Sequence, residues 1–390
     1  MIEVLLALLW IAIVFGAAAF GSMGERRARL LRVASRLDLR PPRSRWGADL
    51  DRPPSSWAGA RALARAARDV QSRRDSSEPS TGLHRLGRVG SIVAISSALA
   101  LVPFAGTWGG RSEGRAMVVF DLDNGLLALV LLILLSNLAQ GAIGLSDRSF
   151  WSRLGAVRIV GSSLAAAGLF VLVIGALVLE TGSLRLHDLV LIQRGTFAPA
   201  AWLGSVFGWS GAHAFELFRL PSWLLLTQPL TAILCVSALA LLLRRPLALE
   251  AATGNVGVVG FGLDDDPSSE RLARLERQLA IVLGASLFVV FFLGGGALPY
   301  VESADIAARL EPYAGEVVPG VLLVGIESGV FLLKIVAVFV VASRLRAALA
   351  VPRNDQKLRV TTQRLIPIAW ANLLLMAALW QLTQSRGVEF

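Results

Sequence analysis

Leu126-Leu127-Ala128-Leu129-Val130-Leu131-Leu132-Ile133-Leu134-Leu135-Ser136-Asn137-Leu138-Ala139-Gln140-Gly141-Ala142-Ile143-Gly144-Leu145 is a run of twenty residues without a charge. A bilayer core about 30 Å thick is crossed by roughly 20 residues of helix, so this run has the length and composition of a membrane span. Working outward, seven more stretches qualify or nearly do: Ile2–Phe20, Val89–Phe104, Ile159–Leu179, Ser222–Leu243, Gln278–Leu298, Val318–Ser343 and Leu365–Leu382. The second and sixth in chain order reach span length only by including small or polar flanks. The whole chain is 55% hydrophobic with a mean hydropathy of +0.63, beyond the range of a soluble domain. The expected fold class is therefore all-α and polytopic, with eight transmembrane helices.

Charge sets the orientation. Of 38 Lys and Arg residues, 16 lie in Gly21–Arg88, 3 in Ser146–Arg158, 5 in Arg244–Arg277 and 6 in Arg344–Arg364. These four segments alternate with poorly charged ones, as expected when basic loops stay in the cytoplasm. Ile2–Phe20 has no basic residue before it and Arg26-Arg27-Ala28-Arg29 after it, which reads as an uncleaved anchor with its N-terminus outside. Eight spans then place both termini outside the cytoplasm. The domain layout is a first span at 1–20, a basic cytoplasmic loop at 21–88, and a seven-helix bundle over 89–386.

Within the long loop, Trp57–Arg68 has apolar residues on one face and Arg61, Arg65 and Arg68 on the other. That pattern predicts a cytoplasmic amphipathic helix, lying either on membrane lipid or on the protein's own surface. The net charge of +10 is explained by topology, and without aromatic–basic interleaving or zinc spacing it argues against a nucleic-acid partner. One Cys, at 235, and three His, at 84, 187 and 213, leave no set of haem, flavin or iron–sulfur ligands and no metal site. Gly257–Gly262 imitates a phosphate loop without a surrounding strand–turn–helix unit, and Asp264-Asp265-Asp266 follows it. Asp121–Gly125 starts like a calcium loop but has Leu132 at the twelfth position. Ser268 or Ser269 is placed to cap a helix beginning near Glu270.

Four segments carry a family resemblance. Glu25-Arg26, then Arg36-Leu37-Asp38-Leu39-Arg40-Pro41 and Arg45-Trp46-Gly47, is similar to an "ER…RxxLRPGPNRxG" pattern. Val119 to Leu127 is similar to "VDLNxGLL", and Ser149 to Arg158 to "SKYxLLGALR". Phe331-Leu332-Leu333-Lys334, with Arg346–Leu349 and Asp355–Leu358, is similar to "FLLK…VRATLPRYRYDQLM". In this order, and on these sides of the membrane, the segments resemble the H subunit of bacterial complex I, the proton-pumping NADH:quinone oxidoreductase. The resemblance implies a multi-pass subunit of the bacterial inner membrane. It would line the quinone entrance and join peripheral-arm iron–sulfur subunits on the cytoplasmic face to antiporter-like membrane subunits. Quinone is then the substrate of the complex, electrons come from partner subunits, and this chain is no enzyme on its own. Candidates for the quinone-channel mouth are Arg26, Arg36, Arg40, Arg45, Trp46 and Trp57. Candidates for a polar axis or proton path are Glu25, Glu250, Lys334, Glu327 and Arg158.

The chain also departs from the family. An acidic loop, "NRPPFDLPEAESELVAG", is replaced by Arg245–Val256, in which Glu250 is the one carboxylate. The Glu of "SYEV" falls near Ala167, and an Asp of the amphipathic segment near Arg65. A proton route through a membrane needs ionisable groups or water at short intervals, so these losses should block or reroute it. Two alternatives follow: a membrane anchor in a related hydrogenase-type complex, or a catalytically silent scaffold paralog. Glu327 and Lys334 are intramembrane charges two turns apart, on one face and about 10 Å from each other. They read either as members of that axis or as stranded charges satisfied by a mutual ion pair or by pairing to other subunits. Asn137 and Gln140 read as interhelical hydrogen-bonding groups.

Overall fold

The computed structural model describes residues 82–106, 117–146, 150–197, 199, 219–243, 267–300, 317–348 and 358–385. Its long elements are α1 Gly82–Ala100, α2 Gly125–Ser146 and α3 Phe150–Thr181, followed by a short α4, Leu186–Ile192. A two-residue antiparallel pairing, Thr196 with Pro221 and Phe197 with Leu220, leads to the one-turn α5, Leu224–Thr227, and α6, Pro229–Leu242. α7 is Pro267–Phe292 and α8 is Val317–Ala348. A π-helical turn, Thr361–Leu365, opens into α9, Ile366–Ser385.

Five helical stretches among the described residues are long and apolar enough to cross a membrane: Gly125–Ser146, Ser152–Thr181, Leu275–Phe292, Gly320–Ala342 and Leu358–Leu382. The described residues account for fewer than the expected eight. Ile2–Phe20 lies outside the described residues, as does the expected amphipathic helix. α1 begins well before Val89, so it includes Arg85 and Arg88, and it stops at Ala100 because Pro103 cannot donate and disfavours helix at Val102. The stretch Ser222–Leu243 is interrupted: Pro229 has no N–H to continue α5, and instead opens the 14-residue α6 at a position where proline is tolerated. The sixth stretch is displaced as well. Its helix starts at Pro267, which puts Ser268 and Ser269 inside it rather than at its cap, and it ends at Phe292, where Gly294 and Gly295 adopt φ of +68° and +57°.

α7 is the centre of the bundle. Over Leu275–Phe292 it is 72% buried, against 11% for Leu358–Leu382, because it packs against α1, α4, α6 and α8. Phe170 of α3 and Phe291 of α7 meet with ring centroids 6.3 Å apart, and Phe292 and Phe331 are buried with them. Small residues let the first helices close: a Cβ at Gly87 would meet Ile143 Cγ1 at 2.7 Å, and one at Gly141 would meet Val160 Cγ2 at 2.4 Å. Polar contacts also join helices, such as Asn372 Nδ2 donating to Thr231 Oγ1 at 2.9 Å across α9 and α6.

Candidate functional site

Two groups of buried charges lie in the bundle, at opposite ends of α7. The first gathers where α1 and α7 begin and α2 ends. Glu276 of α7 is fully buried. Gln140 Nε2 of α2 donates to its two oxygens at 2.6 and 2.5 Å, and Ser91 Oγ of α1 donates to Oε1 at 2.5 Å. Ser91 Oγ also lies 2.7 Å from Ser136 Oγ, which makes Ser136 the donor once Ser91 serves the carboxylate. Arg88 Nη1 stands 3.6 Å from Glu276 Oε2, with both side chains buried. Three helices thus supply a connected set of hydroxyls, an amide, a guanidinium and a carboxylate, with nearly every contact between side chains. Such a set can hold or hand on a proton, since hydroxyl and carboxyl groups both donate and accept.

The second group lies where α7 ends. Glu327 of α8 is fully buried. Arg194 Nη2, from the segment after α4, meets its Oε1 at 3.0 Å, and the backbone N–H of Gly106 donates to Oε2 at 2.5 Å. Lys334, two turns on, does not pair with Glu327. Its Nζ donates to the carbonyls of Leu293, Gly295 and Ala297 at 2.7, 3.0 and 2.8 Å and lies 5.1 Å from the centroid of the Trp223 ring. The mutual ion pair suggested by spacing alone is therefore corrected: each charge has its own partner in a different broken segment. Gln193 ties the same region together. Its Oε1 accepts from Leu224 N at 3.3 Å and Gly294 N at 2.9 Å, and its Nε2 donates to the carbonyls of Leu189 and Val290, both at 2.9 Å. Gln228 likewise donates to Glu180 where α3 ends beside α6.

Of the residues expected from sequence, Lys334 and Glu327 come together in this second group, while Arg158 lies exposed on α3. Arg26, Arg36, Arg40, Arg45, Trp46, Trp57, Glu25 and Glu250 lie outside the described residues. Gln140 bonds across helices to Glu276; the Asn137 amide donates to the Ile133 carbonyl of its own helix at 3.0 Å. Glu276, Arg88, Ser91 and Arg194 are not among the residues expected from sequence. For Glu276 a signal exists: Glu276, Ala280 and Leu283 fall on one helical face and all are buried. Its basic neighbours hide it, because a cluster of Arg reads as cytoplasmic topology.

Near the start of α4, Asp123 pairs with Arg185, and Ser183 Oγ donates to Asp188 Oδ2 at 2.5 Å. Both pairs brace the turn into α4. His187 lies in a shallow recess beside Pro103, Phe120, Asp121 and Leu186, and its Nδ1 is buried without a hydrogen-bond partner. Burial pushes the His187 imidazole below its usual range, and the charge of Arg194 pushes it further down. Among the described residues no three His, Cys, Asp or Glu side chains gather as a metal site.

A helical bundle with five stretches long and apolar enough to cross a membrane, and with ionisable side chains buried at both ends of a central helix, defines a polytopic membrane protein. Its particular family follows from similarity. A family model described as NADH dehydrogenase matches residues 76–377. The second of two H subunits of NADH-quinone oxidoreductase in Cereibacter sphaeroides is 30% identical over 286 residues, covering 73% of this chain and 74% of the relative. The H subunit of NADH-quinone oxidoreductase from Rhizobium rhizogenes is 26% identical over 294 residues, covering 75% and 73%. The corresponding Neisseria meningitidis protein is 24% identical over 302 residues, covering 77% and 72%. The chain belongs to the family of complex I H subunits, as a divergent member.

Proposed function

We propose that this chain is the membrane-arm subunit of a complex I-like NADH:quinone oxidoreductase. It lines the quinone entrance and links peripheral-arm iron–sulfur subunits, docked on its cytoplasmic face, to antiporter-like, ion-translocating subunits in the bacterial inner membrane. The observation that carries this reading is the family match over residues 76–377, which takes in nearly all of the described bundle. Quinone is the substrate of the complex, and electrons reach it through partners. Arg26, Arg36, Arg40, Arg45, Trp46 and Trp57 form the mouth, clamping the soluble arm and admitting an apolar tail. Glu25, Glu250, Arg158, Glu327 and Lys334 belong to the polar axis. Lys334, held by three carbonyls, enters it as a fixed charge that responds electrostatically to quinone reduction.

The loss of carboxylates from residues 245–256 weakens proton coupling on this reading. Glu276 supports a partial replacement: it is a buried carboxylate on the cytoplasmic half, wired by hydrogen bonds to α1 and α2. An intramembrane ionisable group of this kind is costly unless it serves a purpose, and carrying a proton is the purpose its partners suit.

The test is a pull-down of the tagged chain from its own membranes in mild detergent, with mass spectrometry and a quinone-reduction assay. Recovery of iron–sulfur and antiporter-like subunits with inhibitor-sensitive quinone reduction is the expected result. A nickel-site subunit in their place would make the chain a hydrogenase-type anchor. A chain that returns alone would make it a silent scaffold.

A further inference from the structure

Residues 293–297 end the central helix with Leu293-Gly294-Gly295-Gly296-Ala297. The positive φ values of Gly294 and Gly295 turn the backbone so that alternate carbonyls, those of Leu293, Gly295 and Ala297, face one point. Lys334 Nζ stands at that point, 2.7 to 3.0 Å from each oxygen. Three carbonyl acceptors match the three N–H donors of an ammonium group, and the face of Trp223 lies alongside.

The ring has supports of its own. The N–H groups of Gly294, Gly295 and Ala297 donate to Gln193 Oε1, the Val289 carbonyl and the Gly294 carbonyl, at 2.9, 3.0 and 3.0 Å. At Gly296 a Cβ would come within 2.7 Å of the Glu327 carbonyl, so α8 closes against the ring from behind. Shortening Lys334 would therefore leave the carbonyls where they are, but without the ammonium donor they now share. Converging carbonyl oxygens in such a setting are the chemistry by which membrane proteins hold bare monovalent cations.

We propose that the carbonyl ring of Leu293, Gly295 and Ala297, flanked by the indole of Trp223, is a binding site for one monovalent cation of primary-ammonium size. Lys334 fills it from within the chain, and a free cation of that class takes the place of the lysine when the side chain is shortened. The site does not depend on the assignment of the chain to quinone reduction. It makes the seventh-span lysine an occupant whose charge holds an interrupted backbone in place.

The test compares the full chain in detergent, wild type against Lys334→Ala and Lys334→Met, in methylammonium chloride and in choline chloride at equal concentration. Choline is too bulky for the ring, while the methionine side chain fills it. Lys334→Ala should melt about 5 °C or more below wild type in choline chloride and regain at least half of that loss in methylammonium chloride. Wild type and Lys334→Met should melt alike in the two salts. Lys334→Ser gives the same comparison if the alanine chain does not accumulate. A shortened variant that folds in methylammonium and fails to fold in choline supports the site equally. Equal behaviour of the shortened variants in both salts, including failure to fold in either, overturns it, as does a wild type that gains as much from methylammonium as the variants do.

Discussion

The two ends of α7 bury similar charges and use them differently. Where α7 begins, Glu276 is met mainly by side chains from continuous helices. Where α7 ends, Glu327, Lys334 and Gln193 bond to backbone groups that interrupted helices leave unmatched. Non-helical backbone at membrane depth is tolerated where protein satisfies it, and these side chains supply that satisfaction. The contrast separates a network whose protons can be rearranged from a framework whose charges must stay where they are.

The largest effect should come from breaking the framework. Glu327→Leu strands the guanidinium of Arg194 and the N–H of Gly106, and should cost about 3–5 kcal/mol in guanidinium unfolding of the detergent-solubilised chain. Adding Arg194→Met should recover a large part of that loss; additive losses would show that the pair is not the reason. Next, Gly296→Ala pushes a methyl between the Glu327 and Phe104 carbonyls, 2.7 and 3.2 Å from the added carbon, and should cost about 1–3 kcal/mol. Both neighbours are backbone, so neither can swing aside.

At the other end, Glu276→Gln keeps the shape and an acceptor for Ser91 but turns one oxygen into a donor facing Gln140 and the buried Arg88, and should cost about 1–3 kcal/mol. Its main effect should fall on protons moved per electron in reconstituted vesicles containing the complex. Unchanged pumping in an assembled complex would reduce the Glu276 group to structural glue. The smallest effect concerns His187, whose folded-state affinity for a proton is below that of the unfolded chain. The unfolded chain then binds more protons as pH drops through about 6.5, so this contribution to stability is present above that pH and lost below it. His187→Gln should flatten the slope of melting temperature against pH between about 7 and 5.5. An unaltered slope would place the titration on other groups.

The long helices are legible because a run such as Leu126–Leu145 has few structural options at that length and hydropathy. The interruptions are less so. Pro229 and the Gly294-Gly295-Gly296 run stand in plain view, yet apolar runs on either side make each stretch look continuous in a hydropathy reading. Lys334 and Glu327 stand out as charges in apolar surroundings. Their partners do not, because Arg194 lies 133 residues away from Glu327 and the acceptors of Lys334 are backbone atoms without a residue signature. Glu276 is obscured by Arg274 and Arg277 beside it, where the charge pattern speaks first of sidedness.

The bonds that close the group around Glu327 also carry a message about biogenesis. Glu327 reaches back 221 residues to Gly106 and 133 to Arg194, and Lys334 reaches back 37 to 41 residues to its carbonyls. A chain emerging from the ribosome N-terminus first inserts its earlier segments with those backbone and charged groups still waiting. α8 completes them in a single arrival. A nascent chain halted before residue 327 would therefore carry an open, polar defect within the bilayer, a feature by which membrane quality control could tell an unfinished protein from a finished one.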